Sequence, residues 1–337
     1  MKIKQLNRWF LALLLVVIAT TSVKTAFAEV KEVRLAKQYG LSYLPLIMVE
    51  ENKLIEKYAK IAGVGTLKTT WVTLGSGAAM NDALLSGSVD YISGGVAPFL
   101  TLWAKTKGNV KGVTALDTTP LYLNTANPAV KSIKDFTDKD RIALPAVKVS
   151  IQAVVLQMAA AKIFGFDRCN QLDRLTVSMS HPDGAIALLS GKSEITAHFT
   201  APPYSFQELE KPNVRTVLNS YDVLGGPHTF NVVSATKSFY ENNPQTYAIV
   251  YAAIEEAIAA IKKDKKAAAE LYVKATKSKE SVESILAQLN NPQIGYRAEP
   301  LRITKFSDFL FKIGSIDLKP KNEKELFFPK VRLQKGQ

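Results

Sequence analysis

Short apolar segments alternate along the chain with longer segments in which apolar residues recur every three to four positions. The short segments have the composition and length of β-strands and cover residues 33–37, 69–74, 89–93, 141–144 and 175–178. The longer segments have helical spacing and cover residues 44–62, 78–86 and 151–164. Strands separated by helices are typical of α/β proteins whose sheets are mostly parallel. We therefore predict an α/β fold.

The pentapeptide Ala-Leu-Leu-Ser-Gly occurs twice, at residues 83–87 and 187–191. At the same offset Pro98 matches Pro202, so the likeness extends beyond the pentapeptide. Leu-rich helices that end in glycine are common, and shared local structure could produce such a match. Agreement at both ends of the unit favours two similarly built lobes. Because ligands of parallel α/β sheets bind beyond the carboxyl ends of the strands, two such lobes facing each other would form a cleft.

The segment 74–90 resembles a signature stretch of the nitrate/sulfonate/taurine-type substrate-binding proteins, which are the soluble receptors of ABC importers. Further likeness to this family lies at Gly40 with Pro45, at 131–136, at Asn243-Pro244 and at 306–328. Each motif is degenerate, but their order along the chain is fairly specific.

The resemblance implies the type II periplasmic-binding-protein fold, with two lobes that each contain a mostly parallel sheet flanked by helices. Lobe I would comprise residues 29–120 plus 225–337, and lobe II would comprise residues 121–224. The ligand would lie between the lobes, which would close about two connecting segments. The implied partners are a small-molecule ligand and an ABC permease with its ATPase, and the implied state is a monomer without a cofactor.

The N-terminal segment has the pattern of a secretory signal peptide. Lys2, Lys4 and Arg8 precede an apolar run at 9–19, and a small-x-small site ends at Ala28. The run is shorter than the roughly 20 residues that span a bilayer, so we expect cleavage before Glu29 and a periplasmic protein.

Removal of residues 1–28 changes the meaning of the charge. The whole chain carries a formal +13, and the leader contains four cations and no acidic residue, which leaves +9. Most of this excess lies in the C-terminal third, where four lysines between 262 and 266 end an amphipathic helix and suit its dipole. A solvated helix accounts for that cluster better than nucleic-acid binding does. We expect no nucleic-acid partner and only a peripheral encounter with a membrane transporter.

Sequence motifs of catalysis, nucleotide binding and metal binding are missing. The chain contains no Gly-x-Ser-x-Gly, no His-Glu-x-x-His and no Walker loop, and Met80 takes the third glycine position of a dinucleotide fingerprint. The single Cys169 excludes an intramolecular disulfide framework, and the three histidines are not spaced as a zinc site. We expect a binding protein without metal rather than an enzyme. A lyase on the same fold and a receptor that feeds a sensor stay open as alternatives.

Candidate ligand residues in lobe I follow the predicted strands. Gln38 and two tyrosines offer amide, phenol and aromatic groups; Ser76 begins a helix whose free N–H groups favour an anion; and Gly94 and Gly95 allow close backbone approach. Each has an alternative role, as a helix cap, a plain turn or core packing. The lobe I candidates are Gln38, Tyr39, Tyr43, Ser76, Gly77, Ala78, Gly94, Gly95 and Val96.

Candidate ligand residues in lobe II lie at a predicted helix start and after a predicted strand. Lys148 would add full charge at a helix start, although it could be an ordinary surface lysine, and His198 follows the strand that matches 89–93 in the repeat. His228, which follows a Gly-Pro turn, could reach the cleft from the second connecting segment. The lobe II and connecting-segment candidates are Lys148, Val149, Ser150, His198, Phe199, Thr200 and His228. The aromatic groups favour a small organic ligand with an anionic group over a bare inorganic ion.

Overall fold

The computed structural model describes residues 29–330, and the predicted signal peptide at 1–28 lies outside the described residues. The strands are β1 (Glu32–Lys37), β2 (Lys68–Thr73), β3 (Tyr91–Gly95), β4 (Val110–Ala115), β5 (Asp117–Thr118), β6 (Tyr122–Thr125), β7 (Ile142–Leu144), β8 (Thr176–Ser178), β9 (Ala197–Thr200), β10 (Arg215–Asn219), β11 (Asn231–Thr236) and β12 (Gly295–Tyr296). Every strand that the apolar pattern predicted is present, within a few residues of the predicted bounds.

Helices connect most of these strands. They are α1 (Leu44–Glu51), α2 (Leu54–Ile61), α3 (Gly77–Leu85), α4 (Val96–Lys105), α5 (Ile151–Phe164), α6 (His181–Ser190), α7 (Tyr204–Leu209), α8 (Ser220–Leu224), α9 (Lys237–Asn242), α10 (Pro244–Lys263), α11 (Lys265–Thr276), α12 (Val282–Leu289), α13 (Ile303–Lys312) and α14 (Glu323–Leu326). The helix predicted at 44–62 is broken at Lys53, whose positive φ of 49° separates α1 from α2. Between residues 29 and 330, no helix has the length and apolar character needed to cross a membrane.

Two five-stranded sheets organise residues 29–330. The first has the order β2-β1-β3-β11-β4 and the second the order β10-β6-β9-β7-β8. In the first sheet only β11 runs against its neighbours, and in the second only β6 does. Each reversed strand is the first that the chain contributes after crossing from the other sheet. The predicted α/β class with mostly parallel strands is therefore confirmed, with one antiparallel strand in each sheet that the prediction did not include.

The sequence repeat corresponds to equivalent places in the two sheets. Helices α3 and α6 both end at a glycine in the left-handed region, Gly87 (φ 71°) and Gly191 (φ 59°), where a side chain would be strained. Each helix is followed by the central strand of its sheet, β3 in the first and β9 in the second. The shared pentapeptide thus turns the chain from a flanking helix into the middle of a sheet in both halves.

Apolar packing is continuous between the helices of the two sheets. One core lies between the first sheet and α1, α2, α10 and α11, and it includes Leu35, Tyr91 and Ile254. A second core combines Phe99 of α4 and Phe306 of α13 with α5 and the second sheet. The two sheets are therefore held close at one side of the molecule, beside the chain crossings, and they face each other at the carboxyl ends of β1, β3 and β7.

Candidate ligand-binding cleft

A small cavity lies where the loops of the two sheets meet. Its lining is Gln38, Tyr43, Gly77, Gly95, Pro98, Pro145, Ser150, Ile151, Gln152, His181 and Phe230. The first five belong to loops and helix starts of the first sheet, and the next five belong to the second. The cavity volume is ≈ 10 Å³, which is about the space that one water molecule needs. In this conformation the two walls are therefore nearly in contact.

The wall from the first sheet consists of close-packed backbone and two polar side chains. A Cβ atom at Gly77 would lie 2.5 Å from Pro98 Cγ, so only glycine fits at the start of α3. Gln38 is buried, and its Nε2 donates to the Ser93 carbonyl at 3.4 Å. The Tyr43 hydroxyl donates to Asn231 Oδ1 at 2.8 Å. Close backbone approach and two fixed polar groups characterise this wall.

The wall from the second sheet is built from side chains. Ser150 caps α5 by accepting a hydrogen bond from the Ala153 amide at 3.2 Å. Gln152 Nε2 lies 3.3 Å from His181 Nε2, and His181 Nδ1 lies 2.9 Å from Thr200 Oγ1. Because the amide nitrogen can only donate, this pairing assigns the imidazole proton to Nδ1. Burial lowers the pKa of His181 to about 3, so His181 is neutral at physiological pH.

A second buried histidine, His198, packs behind the wall from the second sheet. His198 Nδ1 lies 2.5 Å from Glu208 Oε1, and Glu208 Oε2 accepts from Asn124 Nδ2 at 2.9 Å. His198 and Glu208 are both fully buried, so the pair is held by hydrogen bonds in a low-dielectric surrounding. The His198 ring also lies against Gly184, where a Cβ atom would approach Nε2 to 2.5 Å. This network fixes α6, and with it His181, against the central strand.

A larger pocket of ≈ 750 Å³ opens beside the cavity and shares Gln38 with it. Both sheets contribute its apolar lining, which includes Tyr39, Ile47, Pro182, Ile186, Tyr204 and Tyr272. Ile186 is 68% exposed and Tyr39 is 41% exposed, so the pocket presents apolar surface to solvent. The rim carries the Lys37–Glu50 ion pair. We call this space the outer pocket.

No protein-family model and no curated protein sequence matches the chain. Solved structures do match. An alkanesulfonate-binding protein from Xanthomonas axonopodis pv. citri, bound to MOPS, is 19% identical, with a TM-score of 0.69 over 87% of this chain and 96% of that one. The periplasmic nitrate-binding protein of Synechocystis PCC 6803 is 14% identical, with a TM-score of 0.66 over 88% of this chain and 85% of that one.

A Candida albicans protein described as having the generic periplasmic binding protein fold matches with a TM-score of 0.68 at 14% identity, over 90% of this chain and 97% of that one. The chain has the periplasmic binding protein fold. The fold expected from the resemblance of residues 74–90 is thereby confirmed. Two of these neighbours also bear the ligand names of the family that the sequence resembles.

Within this periplasmic binding protein fold, five of the predicted ligand residues come together. Those that line the inner cavity are Gln38, Tyr43, Gly77, Gly95 and Ser150. Tyr39 lines the outer pocket, and Thr200 reaches the cavity only through its contact with His181. Gly94 packs behind the wall, where a Cβ atom would lie 3.4 Å from Gln38 Nε2.

The other predicted residues have different surroundings. Ser76 caps α3, accepting from the Ala79 amide at 3.3 Å, and Ala78 lies half-buried in the first turn of that helix. Val96 and Phe199 belong to the second apolar core.

Three more predicted residues also lie outside the cavity lining. Lys148 and Val149 are exposed, and the charge of Lys148 acts on Asp173. His228 is fully buried and contacts Ser220 Oγ at 2.9 Å. Its burial lowers its pKa to about 4.

Sequence reasoning missed Gln152 and His181, which with Ser150 are the polar side chains of the second wall. Gln152 stands two residues after Ser150, in the first turn of the predicted helix, so including that turn among the candidates would have found it. His181 matches Gly77 at the offset of the repeat, and Ser180 before it caps α6 as Ser76 caps α3. Within residues 29–330, no group of three or more His, Cys, Asp or Glu side chains could hold a metal ion.

Proposed function

We propose that this chain is the substrate-binding component of an ABC importer and captures a small organic anion between two lobes. Lobe I would comprise 29–120 plus 225–337 and lobe II 121–224, with the signal peptide at 1–28 directing the protein to the periplasm. The partners would be the permease and its ATPase, with the binding protein itself monomeric. Support comes from the fold, from the names of two structural neighbours and from the resemblance at 74–90.

The observation that carries the proposal is the meeting of two helix starts from opposite sheets. Gly77 at the start of α3 and Ser150 at the cap of α5 line the same cavity, with Gln38 and Gln152 beside them. Free N–H groups and the helix dipole favour an anion at such a place. No Lys or Arg side chain is among the residues that line the cavity, so recognition would rest on backbone and amide donors.

The closed arrangement supports a hinge mechanism. The Leu41 amide donates to the Pro202 carbonyl at 2.9 Å across the cleft, and a Cβ atom at Gly95 would lie 2.7 Å from Ile151 Cγ2. A cavity the size of one water cannot admit a nitrate or sulfonate group. The lobes must therefore separate to admit the ligand and close again around it, and the permease would select the closed form.

The outer pocket would take the organic body of the ligand. Tyr39 from one lobe and Ile186 and Tyr204 from the other present apolar surface to the same space. Burial of such surface is worth about 25 cal/mol per Å². A ligand with a small anionic group and an alkyl or aromatic body would thus gain affinity from both spaces.

Binding measurements test this proposal. We expect saturable one-to-one binding in calorimetry, and a raised Tm, with at least one of ethanesulfonate, benzenesulfonate, benzoate and nitrate. Gln152→Ala removes an amide from the cavity and should weaken binding by about tenfold, the cost of about one lost hydrogen bond to a charged group. Gln157→Ala is the matched control, because Gln157 lies on the same helix but bonds Asp173 at 2.8 Å outside the cavity.

Three results would contradict the proposal or the site on which it rests. If none of these anions binds, the chain is not a receptor for this ligand class. If a bound compound is converted to product, the chain is an enzyme on the same fold. Equal losses for Gln152→Ala and Gln157→Ala would separate the ligand site from the cavity described above.

A further inference from the structure

A buried carboxyl group lies at the first crossing between the sheets. Asp117 is fully buried in β5, the short strand that pairs with β12 between the two large sheets. Its Oδ1 accepts hydrogen bonds from the backbone N–H and the side-chain Nδ2 of Asn231, both at 3.2 Å. Its Oδ2 has no hydrogen-bond partner among the protein atoms. The carboxyl is therefore only half satisfied at the position where the lobes would hinge.

Asp117 is linked to the ligand cavity by a directed chain of hydrogen bonds. Because Asn231 donates its Nδ2 to Asp117, its Oδ1 is turned toward Tyr43 and accepts from the hydroxyl at 2.8 Å. The Tyr43 oxygen is then left as an acceptor, and the Gln38 amide lies against it. Tyr43 and Gln38 both line the cavity. The orientation of the Tyr43 hydroxyl, and of the Gln38 amide against it, thus depends on the Asp117 carboxyl.

The groups that face Asp117 carry no positive charge. Tyr43, Tyr221 and Tyr296 are the titratable side chains around it, and all three hydroxyls feel its field. No salt bridge within residues 29–330 includes Asp117. Burial raises the pKa of Asp117 to about 7, and the nearby Thr119 hydroxyl and the hydrogen bonds from Asn231 offset only part of that cost. The carboxyl can therefore change its charge near neutral pH.

We propose that Asp117 is a proton-linked positioning residue, which orients Tyr43 through Asn231 and takes up a proton when the lobes close over an anion. The inference rests on the proposed function, because it requires an anionic ligand in the cavity. An anion placed beside Tyr43 adds a second negative charge to a dry, cation-free region, and two such charges repel strongly there. Protonation of Asp117 removes that repulsion while Oδ1 continues to accept from Asn231.

Calorimetry with each of the four anions named above (ethanesulfonate, benzenesulfonate, benzoate and nitrate) that binds tests the proton linkage, because none of them titrates between pH 6 and 8.5. We expect the Kd to be about tenfold higher at pH 8.5 than at pH 6, since linkage to one proton changes affinity by at most tenfold per pH unit. Parallel titrations at pH 7.5 in phosphate and Tris, whose ionisation enthalpies differ, should show net proton uptake. His181 and His228, with pKa values of about 3 and 4, do not titrate in this range.

Two variants separate charge from positioning. Asp117→Asn keeps an acceptor for Asn231 but cannot titrate, so both the pH dependence and the proton uptake should vanish. Tyr43→Phe cuts the chain and leaves the carboxyl, so affinity should fall by a similar factor at every pH with the pH dependence retained.

The wild-type measurements decide the matter even if a variant misfolds. Binding with a pH-independent Kd and no proton uptake overturns the role of Asp117 and leaves the proposed function standing. Persistence of the pH dependence in Asp117→Asn also overturns it. Failure of all four anions to bind at any pH overturns the proposed function and this inference together.

Discussion

The two halves of the sequence repeat build opposite kinds of wall from equivalent positions. In the first half the helix carries Met80 and the central strand carries Gly94; in the second half the helix carries Gly184 and the strand carries His198. The large and small residues are thus exchanged between helix and strand. One wall brings backbone close to the cavity, and the other brings side chains. A pseudo-symmetric scaffold can therefore present two different chemistries to one ligand.

The two walls also differ in their buried ionisable groups. Behind the first wall lies Asp117, a carboxyl group whose pKa is raised to about 7 by burial. In the second wall lies His181, a base that burial keeps uncharged. Both groups are desolvated, but desolvation raises the pKa of an acid and lowers that of a base. The halves should therefore respond to pH in opposite directions.

The largest expected effect comes from Gly184→Ala, which inserts a Cβ atom 2.5 Å from His198 Nε2. The ring cannot turn away without breaking its contact with Glu208, so we expect a loss of about 2–3 kcal/mol in the free energy of unfolding. Gly94→Ala in the first half should cost less, because its nearest contact is 3.4 Å. Urea unfolding of both variants, with Gly184→Ala/His198→Ala as a partial rescue, measures the difference. Equal costs in the two halves would contradict the size-exchange interpretation.

A smaller effect is expected from the opposite titrations. The folded-state pKa of Asp117 (about 7) exceeds its unfolded value of 3.8, so its contribution to stability is lost as pH rises from about 4 to 7. The folded-state pKa of His181 (about 3) lies below 6.5, so its contribution is lost as pH falls from about 6.5 to 3. Each changes the free energy of unfolding by at most about 1.4 kcal/mol per pH unit, which is less than the loss expected for Gly184→Ala.

Urea unfolding at pH 4.5, 6 and 7.5 should show these slopes. Asp117→Asn should make stability rise more steeply with pH than in wild type, and His181→Gln should make the rise shallower. If both variants change the slope in the same direction, the assignment of charge states in the two walls is wrong.

The smallest effect is expected at Lys148, whose side chain is exposed and absent from the cavity lining. Lys148→Ala should change the free energy of unfolding by less than about 0.5 kcal/mol and the affinity for benzenesulfonate by less than about twofold. Urea unfolding and calorimetry check these values. A tenfold loss of affinity would show that the ammonium turns into the cleft when ligand is bound.

Much of the cleft could be predicted from local sequence rules. Strand ends and helix starts are visible in the apolar pattern, so Gln38, Gly77 and Ser150 could be placed at the cleft from the sequence alone. The same rules also selected Lys148, whose side chain is exposed in this structure, because residue type at a helix start does not say whether the side chain turns toward solvent or cleft. They also passed over His181, whose place follows from the repeat rather than from its neighbours.

The alternation of strands and helices, the repeat and the helix starts can be read from local sequence, because backbone propensity and glycine conformation act over a few residues. The folded packing is needed to see that His198 bonds Glu208, that Asp117 faces tyrosines without a cation, and that the closed cavity has a volume of ≈ 10 Å³. Those properties depend on which distant groups share a buried space. Burial and charge pairing are set by packing across the whole chain, so no local pattern contains them.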